Sequence, residues 1–326
     1  MNEGNQTAVT EFILLGLWDL PELQGVFFGF FVVLYSITVL GNLIIMVIIK
    51  VDPCLHTPMY YFLINLAGLE ICYISVTVPQ MLANILAERK IISFTACIAQ
   101  LYFFGSFGST ECFLLAIMAY DRYLAICYPL HYGMLMNARV CTNLIVCSWL
   151  GGFSSTLLSI LLISRLCFCG PNKIKHYFCD IAPLLRLACS DTSFTETVIF
   201  LLASAILLMC CLLTVLSYVK IIATIVRIPS SLGREKAFST CASHITVVLV
   251  YYGTMIFVYV RPTTASAFDF NKVASVLYTM VTPLINPFIY TLRNKDVKRS
   301  LRRNADRAVF LLETTVFFGA NKTREN

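Results

Sequence analysis

The chain predicts an all-α membrane protein: a bundle of seven transmembrane helices, with a short amphipathic helix after the seventh. Three observations carry this expectation. The 326 residues are 58% hydrophobic and 13% charged, whereas a soluble domain is nearer half apolar and a quarter charged. Apolar runs near or above twenty residues recur seven times, and about twenty helical residues cross the hydrocarbon core. Basic residues also fall unevenly between alternate connections, as topology requires.

The spans read 25–49, 58–86, 97–121, 140–164, 196–220, 237–260 and 272–292. The second and third each carry one acid, Glu70 and Glu111. This divides the chain into an extracellular tail (1–24), a seven-span domain (25–292) and a cytoplasmic tail (293–326). With the N-terminus outside, the inner side holds 16 Lys and Arg and the outer side 8, none of them in residues 1–24. The long second outer loop supplies four of the eight. The net charge of +6 thus reflects topology and attraction to the lipid bilayer, with no nucleic-acid surface implied.

The N-terminus lacks a basic n-region, and "FILLGLW" is too short for a cleavable signal, so the first span is expected to act as an uncleaved anchor. "NQT" makes Asn5 a glycosylation sequon on the outer side, whereas "NKT" at Asn321 falls inside. Of fourteen cysteines, five lie at or beyond the outer boundary: Cys97, Cys167, Cys169, Cys179 and Cys189. Five is odd, so at least one stays unpaired, and spacing alone does not choose the pairs. The remaining cysteines suit small buried hydrophobes. No His/Cys set has zinc spacing, so no metal centre is expected, and "CFC" at 167–169 reads as part of a disulfide loop.

Connections are short except for 165–195. No internal repeat is visible, and an odd span count fits poorly with the inverted repeats of many transporters. After the last span, "RNKDVKRSLRRNADRAVF" sets basic residues beside Val297, Leu301 and Val309 at roughly helical spacing. This suggests a helix lying on the inner leaflet; a solvated basic tail is the alternative. No cysteine follows Cys241, so the tail has no palmitoylation site.

Ionisable groups inside spans are costly and point to function. Glu111 and Arg122 are eleven residues apart on one helix, about 16 Å and about 20° in azimuth, so both face the same way. Two carboxyls in a low-dielectric space cannot both ionise freely. Further out on the same span, Phe104, Gly105, Gly108, Ser109 and Cys112 share one helical face. The glycines there either let helices approach closely or leave room for a ligand.

Several stretches, in order along residues 25 to 300, carry a family resemblance: "GN" at 41–42, "PMYYFLINLAGLE", "MAYDRYLAICYPLHY", "HYFCDIAPLLRLACSDT", "KAFSTCASHITVV" and "PLINPFIYTLRNKDVK". The chain resembles the rhodopsin-type G-protein-coupled receptors and, within them, the olfactory receptors. Span six reads "VYYGTMIF", without the Cys-Trp-x-Pro of most rhodopsin-type receptors, which also resembles the olfactory branch. Two features depart from the pattern. Span two has "LAGLE" where the family usually has Leu-Ser-x-x-Asp, and the tail 308–326 is longer and more apolar than usual.

The resemblance implies an odorant receptor of the plasma membrane that activates a heterotrimeric G protein of the stimulatory olfactory type. Asp121 would hold Arg122 through a charge-assisted pair, with Tyr123 completing the triplet, until agonist moves spans six and seven. Tyr218 and Tyr290 match positions whose hydroxyls stabilise the open state. Arg122 snorkelling to lipid phosphate is the plain alternative. Glu70, Glu111, Asn42 and Asn286 match a central cluster that binds Na⁺ as an allosteric ion or shares a proton; no other cofactor is implied.

Ligand walls would come from Phe104, Gly105, Gly108, Ser109 and Cys112, from Leu202, Ala203 and Ile206, and from Tyr252, Met255, Ile256 and Tyr259. Thr279 would complete them. This lining suits a small, neutral, largely hydrophobic volatile, and Phe104 stands where amine receptors carry Asp. Resemblance also implies the disulfides Cys97–Cys179 and Cys169–Cys189, with Cys167 unpaired. Three rivals remain: a channel or transporter using Glu70 and Glu111, a chemosensory receptor acting outside the nose, and an enzyme. The last has no motif behind it, since "GSFGST" lies inside a span.

Overall fold

A computed structural model describes residues 9–16, 21–169, 172–259, 275–293 and 296–304. Seven long helices form the bundle. They are α1 (Gln24–Val51), α2 (Pro58–Leu86), α3 (Phe94–Cys127), α5 (Ala138–Ser164), α7 (Ser193–Val226), α8 (Ser231–Tyr259) and α9 (Thr282–Arg293), the last entered through a π-helical turn at Leu277–Val281. Two short helices sit in loops, α4 (Tyr132–Leu135) and α6 (Ile181–Leu185), and a further helix, α10, spans 296–304. The first five long helices are long and apolar enough to cross a membrane; α8 and α9 carry shorter apolar stretches, Cys241–Ile256 and Leu277–Ile289.

Local chemistry sets several ends. Ser93 caps α3, its hydroxyl accepting from Ala96 N at 3.2 Å, and Asn137 caps α5 by accepting from Val140 N at 3.1 Å. Both satisfy otherwise orphaned amides. Pro58 opens α2 at its first turn, where its missing N–H costs nothing. Helices α3, α7 and α8 run several residues past the apolar windows read from sequence. Hydropathy marks bilayer thickness, whereas intrahelical hydrogen bonding continues into water; the extra turn of α3 carries Arg122 itself.

The bundle sets buried polar groups among apolar ones inside and turns an apolar surface outward. On α1, Val26, Phe30, Val33, Ile37, Leu40, Ile44 and Val47 form an exposed stripe at spacings of three and four, the pattern of a lipid-facing surface. The opposite face buries Phe31, Leu34, Thr38, Asn42 and Ile45. Helix α3 is the axis, packed against α2, α5, α7 and α8. Its approach to α5 depends on Gly152: a Cβ there would lie 2.8 Å from the Ser106 carbonyl oxygen and the Thr110 nitrogen.

At the end that carries the disulfides, a three-stranded sheet forms that sequence reading did not anticipate. Its strands are β1 (Glu11–Leu14), β2 (Ile91–Ser93) and β3 (Lys173–Ile174), in the order β2-β1-β3. β1 pairs antiparallel with β2 (Phe12↔Ile92) and parallel with β3 (Leu14↔Ile174). Part of the segment assigned to a tail therefore bridges two loops. Its alternation buries Phe12 and Leu14, with Phe12 set edge-on to Phe168 at 5.7 Å.

At the other end, α10 buries Val297 and packs Leu301 against the core, which agrees with an amphipathic helix rather than a solvated tail. Val309 lies outside the described residues. Arg303 pairs with Asp52, the residue that ends α1. A hydrogen bond from Ser300, aided by the Cys54 amide and Arg303, holds the Asp52 carboxyl down to about 2.

Candidate functional site

The site is a column of four layers running through the bundle. The first is a roof. Cys97 and Cys179 are disulfide-bonded with Cα atoms 5.5 Å apart, and Cys169 and Cys189 with Cα atoms 5.7 Å apart; Cys167 is a free, exposed thiol. The first bridge brings His176–Cys179, all buried, down onto the bundle. Gln100 on α3 accepts from Cys179 N at 2.9 Å and donates to the Val76 carbonyl at 2.8 Å. Tyr177 meets Thr279 hydroxyl to hydroxyl at 2.8 Å, and Ser275 donates to the Tyr177 hydroxyl at 3.1 Å. Asp180 follows, its carboxylate accepting from Ile181 N at 2.8 Å; burial pushes its carboxyl up to about 6.

Beneath the roof lies the layer expected to hold ligand. Phe104 stacks on Tyr73 at 4.8 Å and meets Phe178 at 5.0 Å and Tyr278 at 6.0 Å. Phe104, Cys112, Ile206, Tyr252 and Met255 belong to one apolar cluster. Tyr252 donates to the Cys112 carbonyl at 3.3 Å, and its neighbour Tyr251 donates to the Gly108 carbonyl at 2.8 Å. Helix α8 is thus bonded to the α3 backbone at two successive turns. Ser109, Leu202 and Ala203 are half-buried, and Ile256 is exposed.

Two expected wall residues sit differently. A Cβ on Gly105 would come 2.8 Å from Thr156 Cγ2, so Gly105 serves close approach to α5, the small-residue alternative. Thr279 is engaged by the roof through Tyr177. The Tyr259 side chain lies outside the described residues. Sequence reading missed Tyr73, Tyr177, Phe178 and Tyr251; the only signal was that the last three lie inside quoted stretches, with Tyr73 three residues beyond one.

The third layer is acidic. Glu70 and Glu111 are fully buried and are electrostatic neighbours of each other. The Asn286 amide donates to Glu70 Oε1. Glu70 Oε2 and Glu111 Oε1 have no hydrogen-bond partner. Asn42 is at hand, yet its amide donates to the Thr38 carbonyl at 3.0 Å and the Pro283 carbonyl at 3.4 Å. It ties α1 to α9, and its Nδ2 donates to neither carboxyl.

The fourth layer closes the far end. Arg122 Nη2 pairs with Asp121 Oδ2 at 2.9 Å, and Tyr132 on α4 donates to Asp121 Oδ1 at 2.7 Å. Both ions are buried, so each leans on this pairing. Burial and the facing Asp121 charge push the Tyr132 phenol up, which keeps it a donor. Tyr218 meets His244 Nδ1 at 2.6 Å, and Arg122 is an electrostatic neighbour of both. Tyr123 turns to the Tyr128 hydroxyl at 3.4 Å. The Tyr290 side chain and Asn5 lie outside the described residues. Tyr132 and His244 went unnoticed in sequence because their partners come from other elements.

Comparison with known proteins fits this column. The family model for olfactory receptors matches residues 31–306. The chain is 51% identical over 315 residues to human olfactory receptor 11L1, covering 97% of this chain and 98% of that one. It is 51% identical over 301 residues to human olfactory receptor 6F1 (92% and 98%) and 50% identical over 299 residues to mouse olfactory receptor 5AP2 (92% and 94%). Such proteins are multi-pass receptors of the plasma membrane and not enzymes. A roofed cluster, a buried acid pair and an Asp-Arg lock, joined along one helix in a chain half identical to these receptors, place this protein in the olfactory receptor family of G-protein-coupled receptors.

Proposed function

We propose that the chain binds a small, neutral, largely hydrophobic volatile beneath the His176–Cys179 roof and activates a stimulatory, olfactory-type G protein, with the N-terminus and disulfides outside the cell. The observation that carries this reading is the pair of tyrosine hydroxyls bonding α8 to the backbone of α3, directly below Phe104. A ligand that wedges between Phe104, Ile206 and Met255 competes with those bonds. It loosens α8 from α3, and the α8 residue His244 carries the change to Tyr218 and Arg122. Agonist need only bind the loosened arrangement more tightly than the closed one.

The acid pair fits either of two occupants. Glu70 and Glu111 stay together only with a shared proton or a cation, since two bare carboxylates that close repel. Na⁺ would be held by Glu70 Oε2 and Glu111 Oε1, whose hydrogen-bonding capacity is unused, and would supply one positive charge offsetting both. In either case the pair ties α2 to α3, and Asn286 adds α9.

The test is cAMP accumulation in cells supplied with the olfactory G protein, across volatiles graded in polarity. Tyr252→Phe should lower the concentration for half-maximal response, because it loosens α8, and Phe104→Ala should raise it at least tenfold. Responses confined to amines or other charged compounds would refute the ligand class.

A further inference from the structure

Three sulfurs beside the roof have no part in the signalling proposed above. Cys167, Cys169 and Cys189 meet where Phe168 pairs antiparallel with Ala188. That register sets Cys167 opposite Cys189, and the Cys189 amide donates to the Cys167 carbonyl at 2.9 Å. The Cys167 amide turns to the Ser190 hydroxyl at 3.4 Å. Side chains alternate along a strand. Phe168 is buried on one side, against Phe12 at 5.7 Å and Phe94 at 5.8 Å, so Cys167 and Cys169 project to the other. Opposite residues share a face, which brings Cys189 to the same side.

Cys189 is therefore within reach of two partners. It is bonded to Cys169, with Cα atoms 5.7 Å apart. Opposite residues joined by an antiparallel hydrogen bond hold their Cα atoms about 5.5 Å apart, inside the roughly 4.4–6.8 Å that a disulfide spans. Cys167 and Cys169, two places apart on one strand, are about 6.6 Å apart, at the far end of that range. The free Cys167 thiol is exposed, and so is Cys189. Cys97 and Cys179 are wholly buried, which keeps the roof bridge out of reach.

We propose that these three cysteines form a thiol–disulfide exchange site, in which the bridge to Cys189 passes between Cys169 and Cys167. Cys167 gives its proton to water, and its thiolate attacks Cys189 Sγ. The Cys167–Cys189 bond forms as the Cys169–Cys189 bond breaks, and Cys169 leaves as a thiolate that takes up a proton. One disulfide and one thiol stand on each side of the reaction, so no oxidant or reductant is consumed. The site rests on the outward placement proposed above, where disulfides persist. Uncatalysed rearrangement takes minutes to hours, so the two isomers are settings of the receptor and not steps of its response. Moving the bridge from Cys169 to Cys167 adds two residues to the untethered chain before β3. That strand pairs with β1 and leads into His176–Cys179, so the Cys167 form holds the roof less firmly.

The test uses the full-length receptor in detergent, its free thiols alkylated with excess maleimide at lysis. Chymotrypsin then cuts the unreduced chain after Phe168, which parts Cys167 from Cys169, and mass spectrometry reads the partner of Cys189. In the parent, at least a tenth of the molecules should carry Cys167–Cys189 with maleimide on Cys169. In Cys167→Ser, maleimide on Cys169 should fall at least tenfold, and Cys169→Ser should carry the Cys167–Cys189 bridge throughout. Before alkylation, contact with a maleimide polymer that reaches exposed Cys167 should drain the Cys167–Cys189 form over hours, at a rate independent of polymer concentration. Hydrogen exchange over 172–176 should be at least threefold faster in Cys169→Ser than in Cys167→Ser. Cys189 bonded to Cys169 alone in the parent would overturn the proposal, as would a free Cys189 thiol in Cys169→Ser. So would a Cys167–Cys189 fraction that never drains, which marks two fixed products of folding, and equal hydrogen exchange would break the link to the roof. Label on Cys97 or Cys179 would count against the outward placement and overturn both readings, whereas the other failures leave the proposed function standing.

Discussion

At the cysteine end of the bundle, two disulfides and a three-stranded backbone sheet hold the loops in place. At the opposite end, the closures are side-chain pairs: Asp121 with Arg122 and Tyr132, Tyr218 with His244, Asp52 with Arg303. A covalent bridge over 82 residues of chain is not exchanged on a signalling timescale, whereas a hydrogen bond contributes about 1 kcal/mol net. The cysteine end is therefore held more firmly than the opposite end, and under the proposed function the first keeps its shape while the second changes. Helix α3 joins the two, holding the roof at Gln100 and the lock at Arg122.

That contrast can be broken from either side. The largest effect belongs to the roof: Cys97→Ser should cost about 2–5 kcal/mol and strip the receptor from the cell surface, read by surface labelling. Next is the α3–α5 contact. Gly152→Ala forces a Cβ against the Ser106 carbonyl and should cost about 1–3 kcal/mol, seen as a lower melting temperature in detergent.

At the far end, Tyr132→Phe removes one of the bonds holding Asp121, worth about 1 kcal/mol. It should raise ligand-free cAMP about fivefold at equal surface expression; unchanged basal signalling would remove Tyr132 from the lock.

The smallest effect sharpens the roof. With its carboxyl raised to about 6 from an unfolded value near 3.9, Asp180 binds a proton more readily in the packed roof than out of it. Its contribution is thus fully present below about pH 4 and is lost as pH rises through 6. Hydrogen exchange over 176–185 should slow from pH 7 to pH 5, after correction for intrinsic rates, and Asp180→Asn should abolish the difference.

The spans were legible because twenty apolar residues have few other uses, and Asp121–Arg122 because they stand inside "MAYDRYLAICYPLHY", one of the stretches that carry the family resemblance. The glycine face was half legible. Gly105 and Gly108 differ by about 60° around the helix, too little for periodicity to tell a surface facing α5 from one facing a cavity. β1 was illegible for another reason: four residues alternate too briefly to register, and their partners lie some 80 and 160 positions away. His244 and Tyr132 show the same limit, since each acquires its meaning from a group on another element.

The central claim is that a ligand held at one end acts through Arg122 at the other. The measurement that tests it most directly is cAMP in cells expressing the chain with an olfactory G protein, screened against a broad odorant panel beside an Arg122→Ala variant matched for surface expression. The account predicts a response in the parent that the variant loses. A response surviving intact in the variant would contradict it.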